Sequence, residues 1–311
     1  MGPIALFKMN FPYENYVDPL TQLYTPKVQY LNEKTPLPVR VRNYLKVANW
    51  VYEGKCEKVE GIRSLSFEEL PELFTKYYNE TIYKQNGYAI LAPTPFHMWF
   101  GMEGDDTVLI GFAGTSNLPS VMTDIQHFFG YQTSFCQMAI GVVYLMLEHY
   151  PSHNVRVIGH SLGGGLAQYS VAANIKRAQG RLTGIGFNSA GLSPEICLSL
   201  GTNLLLAKFS ISHYITPCDR VNKLGILAGS HIRLPQKGSS GHRTVDIAPC
   251  VDEYIRMERQ MEELDLLVLS SIIKDPGVGF PFTSVHIPCV IKDLFSIFPP
   301  PLMGIILCPR R

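Results

Sequence analysis

Short runs rich in β-branched and aromatic residues recur along the chain and predict six strands of one sheet. The first two runs are expected to be neighbours in that sheet, and the last is expected to be its final strand. The runs lie at residues 87–94, 107–114, 155–158, 184–193 (which includes a loop), 208–216 and 230–235.

Helical patterns separate these strands. Residues 41–52 predict a helix that covers the sheet and ends at Gly54. Its apolar face would consist of Val41, Tyr44, Leu45, Ala48 and Tyr52. Further helices are predicted at residues 66–78, at residues 135–150, where the pattern is apolar on nearly all sides, from Leu162, and from about Pro249.

The strongest indication of chemistry lies where the third strand meets its helix. There the chain reads Gly-His-Ser-Leu-Gly at residues 159–163. A G-x-S-x-G sequence between a strand and a helix is typical of a sharp turn that exposes a nucleophilic serine. The two glycines allow neighbouring backbone segments to approach each other closely at this turn. Glycines at 163–165 would each cost a helix about 1 kcal/mol relative to alanine, which indicates close packing against the sheet. Ser161 is therefore the predicted nucleophile, and the alternative is a helix N-cap serine.

Composition narrows the function classes. The 311 residues are 46% hydrophobic and 17% charged, with a formal charge of +1, so nothing indicates a nucleic-acid partner. Seven cysteines without a C-x-x-C pair argue against a disulfide framework and a zinc site, and they favour a reducing compartment, either the cytoplasm or one reached by non-classical export. The sequence predicts neither a secretory signal peptide nor a transmembrane span.

The motif GHSLGG at residues 159–164, preceded by FAGTSNLPSVMTDI at residues 112–125, resembles the class 3 lipase group of α/β-hydrolases. That group has a hydrophobic strand, then Arg-Gly-Thr/Ser, then an aspartate nine residues on, which is the spacing from Thr115 to Asp124. Ala113 departs from the pattern, because the group often has arginine there. The resemblance implies an α/β-hydrolase fold with a mostly parallel central sheet and helices on both faces.

Acyl transfer needs two backbone N–H donors aimed at the developing oxyanion. Leu162, just after the nucleophile, is predicted to supply one, and by the resemblance Thr115 supplies the other. The alternative for Thr115 is a cap of the helix that follows.

The resemblance also implies a mobile lid after the loop that contains Thr115. An apolar stripe at that place, which is either a lid or part of the core, consists of Val121, Met122, Ile125, Phe128 and Phe129.

The remaining triad members are predicted from chain order, which in this fold is serine, then aspartate, then histidine. Asp219 follows a predicted strand and resembles the acid of the lipase group, although an aspartate there could be an ordinary turn former. His242 lies in the loop after the last strand and is preferred as the base, with His286 as the runner-up. The histidines within predicted strands are excluded: His213 and His231.

These predictions describe a serine carboxylic-ester hydrolase that acts on lipids, a lipase or phospholipase, through an acyl-enzyme and without metal or organic cofactor. The alternatives are a serine hydrolase of non-lipid acyl groups, such as an esterase, thioesterase or peptidase, and a non-catalytic relative that only holds lipid. The expected organisation is an irregular arm at residues 1–40, a hydrolase core at 41–250, and a helix with a Pro-rich apolar tail at 251–311. That tail either packs on the core or meets a membrane surface.

Overall fold

A computed structural model describes residues 37–53, 59–75, 89–91, 96–114, 134–238 and 241–274 of the chain. The predicted sites at Thr115, at residues 121–129 and at His286 lie outside these residues. The chain divides into two units, Met1–Arg259 and Gln260–Arg311, and the described part of the second unit is the continuation of one helix to Lys274. The predicted boundaries at residues 40 and 250 stay predictions.

Within the described residues, eight strands form one sheet in the order β1-β3-β4-β5-β6-β7-β8, and β2 also pairs with β3. Strand β3 is antiparallel to β1, β2 and β4, whereas each successive pair from β4 to β8 is parallel. The bounds are β1 Ile62–Ser64, β2 Ala89–Leu91, β3 Phe96–Glu103, β4 Thr107–Phe112, β5 Asn154–His160, β6 Leu182–Phe187, β7 Ile211–Ile215 and β8 Ser230–Arg233.

Helices lie between successive strands from β4 to β7, as is usual for parallel pairs, whereas the connection from β7 to β8 contains only a 3₁₀ turn. The described helices are α1 Leu37–Glu53, α2 Glu72–Thr75, α3 Ser134–His149, α4 Leu162–Asn174, α5 Pro194–Leu200, α6 Asn203–Ala207 and α7 Thr244–Lys274, with short 3₁₀ turns at Phe67–Glu69 and Val221–Lys223. None of the helices in the described part of the chain is both long and apolar enough to span a membrane.

The core lies on both faces of the sheet because successive strand side chains point to opposite sides. In β4, Val108, Ile110 and Phe112 join an apolar cluster that includes buried residues of α3 and α4. The intervening Leu109 joins a second cluster, which includes buried residues of α1 and of the first turns of α7. The prediction of a mostly parallel sheet with helices on both faces is thereby confirmed.

Three local predictions were wrong. The runs at 87–94 and 107–114 are not neighbours, because β3 lies between them and pairs with both. The sequence of β3, FHMWFGME, contains three aromatic residues but no β-branched residue, and the search for runs rich in both did not mark it. The single helix predicted at 66–78 is interrupted at Pro71, since a proline cannot continue a preceding turn. The last helix begins at Thr244 rather than near Pro249, which lies inside it.

Candidate active site

Ser161 occupies a sharp turn between β5 and α4. Its backbone has φ 57° and ψ −125°, a region that costs a non-glycine residue about 1–3 kcal/mol and persists only where surrounding bonds impose it. The N–H of Ser161 donates to the carbonyl of Phe187 at 3.1 Å. The carbonyl of Ser161 accepts from Gly165 at 3.1 Å and from Ala190 at 2.9 Å. These bonds fix the serine at the carboxyl end of the central strand.

The glycines around Ser161 are needed because neighbouring backbone segments lie too close to them to leave room for a Cβ atom. A Cβ on Gly159 would lie 2.2 Å from the carbonyl group of Gly163, and a Cβ on Gly163 would lie 2.2 Å from the carbonyl oxygen of Phe112. A Cβ on Gly164 would lie 2.3 Å from the hydroxyl of Ser189. The prediction that the glycine run marks close packing of the helix is confirmed at Gly163 and Gly164.

The structure brings Ser161, His242 and Asp219 into one hydrogen-bonded chain. The Nε2 atom of His242 lies 2.7 Å from Oγ of Ser161, and its Nδ1 atom lies 2.8 Å from Oδ1 of Asp219. A carboxylate only accepts, so the neutral ring carries its proton on Nδ1 and leaves Nε2 to accept from the serine hydroxyl. This is the tautomer that a general base for Ser161 needs.

The Asp219 carboxylate is held at both oxygens. Oδ1 also accepts from the backbone N–H of Val221 at 3.2 Å, and Oδ2 accepts from that of Asn222 at 3.0 Å. The side chain is 1% exposed, whereas that of His242 is 15% exposed. A buried carboxylate with fixed donors holds the ring of His242 in one orientation and stabilises the imidazolium that would form during proton transfer.

Two buried polar side chains that the sequence reasoning missed hold the surrounding loops together. Asn188, with φ 42°, accepts from the Thr216 N–H at 2.9 Å and so ties the ends of β6 and β7. Gln168 of α4 donates to the carbonyl of Ala190 at 2.6 Å and accepts from the N–H of Ala228 at 2.7 Å. The available signal was a polar residue among the mainly apolar residues of α4 and an asparagine directly after a buried strand.

His213 and His231, which the sequence analysis excluded as the general base, lie on β7 and β8 as expected. His213 is fully buried, and this burial lowers its pKa to about 4. Its Nε2 atom donates to the carbonyl of Ala228 at 2.9 Å, and its Nδ1 atom accepts from the hydroxyl of Ser189 at 3.0 Å. The ring is thus engaged on both sides, away from Ser161.

The N-terminus of α4 offers the first predicted oxyanion donor. Leu162 is the first residue of α4, so its N–H has no acceptor within the helix. The loop that leads to Thr115 approaches the same point, since a Cβ on Gly163 would lie 3.0 Å from the nitrogen of Gly114. The N–H of Thr115 itself lies outside the described residues.

Other site chemistry is limited in the described residues. They contain no group of three or more His, Cys, Asp or Glu side chains arranged to hold a metal ion. The cysteines described form no disulfide bond with one another: Cys136, Cys197, Cys218 and Cys250.

Comparisons with known proteins assign the chain to a family. The family model for "Phospholipase-like: Tle-like phospholipase domain" matches residues 43–210, more than half of the chain. No curated protein has a significantly similar sequence.

Several solved structures are similar to the chain at low identity. A triacylglycerol lipase from Penicillium expansum is 11% identical, with 64% of this chain and 80% of that chain covered and a TM-score of 0.44. A fungal lipase is 13% identical, with 67% and 83% covered and a TM-score of 0.44. The Lip2 lipase from Yarrowia lipolytica is 12% identical, with 63% and 78% covered and a TM-score of 0.37. Because the family model matches more than half of the chain, the chain belongs to the family of Tle-like phospholipase domains, and it is a lipase-type α/β-hydrolase that acts on lipid esters.

Proposed function

We propose that the protein hydrolyses carboxylic-ester bonds of phospholipids at a membrane surface, with Ser161 as nucleophile, His242 as general base and Asp219 as the acid that orients it. The observation that carries the proposal is the unbroken chain from Ser161 Oγ through the His242 ring to Asp219, with spacings of 2.7 and 2.8 Å. The family description supports phospholipid as the substrate class. Triacylglycerol is the second candidate substrate.

The first half of the reaction transfers the acyl group to the enzyme. Ser161 Oγ attacks the ester carbonyl while Nε2 of His242 takes the hydroxyl proton, and Asp219 stabilises the resulting imidazolium. The backbone N–H groups of Leu162 and Thr115 donate to the oxyanion, and one such donor is worth about 3–4 kcal/mol in the transition state. The imidazolium then protonates the departing alcohol oxygen, which leaves as the lysophospholipid and generates the acyl-enzyme.

The second half regenerates the serine. A water molecule gives a proton to Nε2 of His242 as its oxygen attacks the acyl carbon, and collapse of the tetrahedral intermediate releases the fatty acid. His242 returns the proton to Ser161. The chain's own side chains and backbone supply each of these steps.

The test is release of fatty acid from phosphatidylcholine vesicles and from a triacylglycerol emulsion, measured for wild type and for Ser161→Ala. We expect wild-type release to be at least about 10³-fold faster than that of Ser161→Ala, and faster on phospholipid than on triacylglycerol. Equal release by both proteins would end the serine mechanism. Preference for the emulsion would transfer the substrate assignment to triacylglycerol.

Two arms of the same experiment address the other functional classes. A soluble short-chain thioester or ester that is hydrolysed while vesicles are untouched would indicate a non-lipid acyl hydrolase. Vesicle binding without hydrolysis, by a folded protein that resists a fluorophosphonate, would indicate a lipid-holding relative. The geometry of Ser161 and His242 favours a reactive hydroxyl, which argues against the lipid-holding relative.

A further inference from the structure

Two buried side chains outside the Ser161, His242 and Asp219 set hold the backbone that carries His242. The Nε2 atom of His160 lies 2.6 Å from the carbonyl oxygen of His242. The Nδ2 atom of Asn188 lies 3.4 Å from the carbonyl oxygen of Gly241. Because a carbonyl oxygen only accepts, both side chains are donors in these contacts. They hold two consecutive peptide groups at the position of the base.

His160 is suited to this role because it stays neutral. Its burial, and next the charge of His242 nearby, lower its pKa to about 3, so above pH 5 it is a neutral ring that can keep its proton on Nε2. The ring of His160 also packs against that of His242, with centroids 4.7 Å apart and planes tilted by 36°. His160 therefore restrains both the backbone and the ring of the base.

Chain connectivity makes this restraint relevant to catalysis. His160 directly precedes Ser161, so the hydrogen bond joins the peptide of His242 to the residue adjacent to the nucleophile. Asn188 makes the second connection from the end of β6, where the Thr216 N–H fixes its side chain at 2.9 Å. The 2.7 Å separation of Ser161 Oγ and His242 Nε2 is thus set by short links within the site.

We propose that His160 and Asn188 are positioning residues for the general base: their donor groups hold the carbonyls of His242 and Gly241 so that the imidazole stays within proton-transfer distance of Ser161. The proposal rests on the proposed role of His242. A displacement of about 1 Å at a reacting group can lower the rate about 10²-fold, so loss of the donor is expected to reduce kcat and leave KM largely unchanged.

Matched variants of His160 separate hydrogen bonding from packing. His160→Gln keeps an N–H donor near the Nε2 position, whereas His160→Met has a similar size and no donor. With p-nitrophenyl butyrate and phosphatidylcholine vesicles, we expect kcat of His160→Met to fall by about 10- to 100-fold at unchanged KM, and that of His160→Gln to stay within about fivefold of wild type. Equal kcat in the two variants would overturn the proposal. If His160→Met does not fold, His160→Phe, which keeps a ring but lacks the donor, takes its place in the comparison.

A double-mutant cycle tests whether His160 acts through the base. In a His242→Ala background, His160→Met should leave the residual kcat unchanged, because no imidazole remains to be positioned. A further decrease equal to that in wild type would overturn the proposal by showing a general structural effect. Failure of the proposed function is distinguishable, since it would appear as wild-type kcat in His242→Ala alone.

Discussion

Replacing Gly163 by alanine tests whether the close approach of α4 to the end of β4 is needed for catalysis. The added Cβ would lie 2.2 Å from the carbonyl oxygen of Phe112, and real Cβ contacts do not fall below 3.0 Å. One of the two backbones therefore has to move by about 0.8 Å or more. Either movement would displace a proposed oxyanion donor, because α4 begins at Leu162 and the residues after Phe112 lead to Thr115.

The magnitude follows from two opposing effects on stability and one effect on rate. Alanine is better than glycine in a helix by about 1 kcal/mol, whereas overpacking costs about 1–3 kcal/mol, so we expect the free energy of unfolding to fall by up to about 2 kcal/mol. Displacing one oxyanion donor lowers kcat by about 10²- to 10³-fold, with little change in KM because the donor acts in the transition state.

The assay compares Gly163→Ala with Gly184→Ala by steady-state ester hydrolysis and by urea denaturation. Gly184 is a matched control, because its added Cβ would lie 3.3 Å from side-chain atoms of Ile211 and Val171, which can yield by a few tenths of an ångström. We expect the control to keep kcat within about threefold of wild type. A Gly163→Ala variant with wild-type kcat and raised stability would refute the reasoning.

Three further predictions concern buried ionisable groups. Asp219→Asn should lower kcat by about 10⁴-fold, because the amide favours the wrong tautomer of His242. Burst kinetics with an activated ester should show slow acylation, and an unchanged acylation rate would contradict this prediction. Buried His213 should lower the free energy of unfolding by about 3 kcal/mol as pH decreases from 6.5 to 4, since the native ring stays neutral while the unfolded chain takes up a proton there. Buried His160 adds a fall of its own, so the test is the difference between two denaturation series: His213→Gln should lose about 3 kcal/mol less than wild type over this range, and an identical pH slope would refute the prediction. Glu103→Gln removes the carboxylate that lies 2.8 Å from the guanidinium of Arg156 and should destabilise the fold by about 3 kcal/mol. Adding Arg156→Met should recover part of this loss, and thermal melts in which the two losses simply add would contradict the pairing.

Local patterns predicted the strand, the turn and the helix that hold Ser161. A strand run, a G-x-S-x-G turn and a helix located Ser161, because the glycines and the strand composition are written in consecutive residues. Asp219 and His242 were selected by their places after later strands, and the structure puts them beside Ser161. Helix α1 likewise follows its apolar periodicity, although it begins at Leu37 rather than at residue 41.

The contacts that could not be predicted join residues that are distant in sequence. The contact of His160 with the peptide of His242 joins positions 82 residues apart, and the contact of Asn188 with Gly241 joins positions 53 apart. A polar residue in an apolar segment signals that some partner exists but does not identify it. Strand β3 was missed because its aromatic residues, which favour strands, alternate with histidine, methionine and glycine, and its place in the sheet is set by pairing with β4.

The central claim is that Ser161 is an activated nucleophile, and covalent labelling tests it most directly. A fluorophosphonate should phosphonylate one residue of the wild-type protein with loss of fluoride, and peptide mass spectrometry should locate the adduct on Ser161. His242→Ala should react at least about 10²-fold more slowly, because the base that removes the hydroxyl proton is gone. A folded wild-type protein that stays unlabelled, or that carries the adduct on a different residue, would contradict the account.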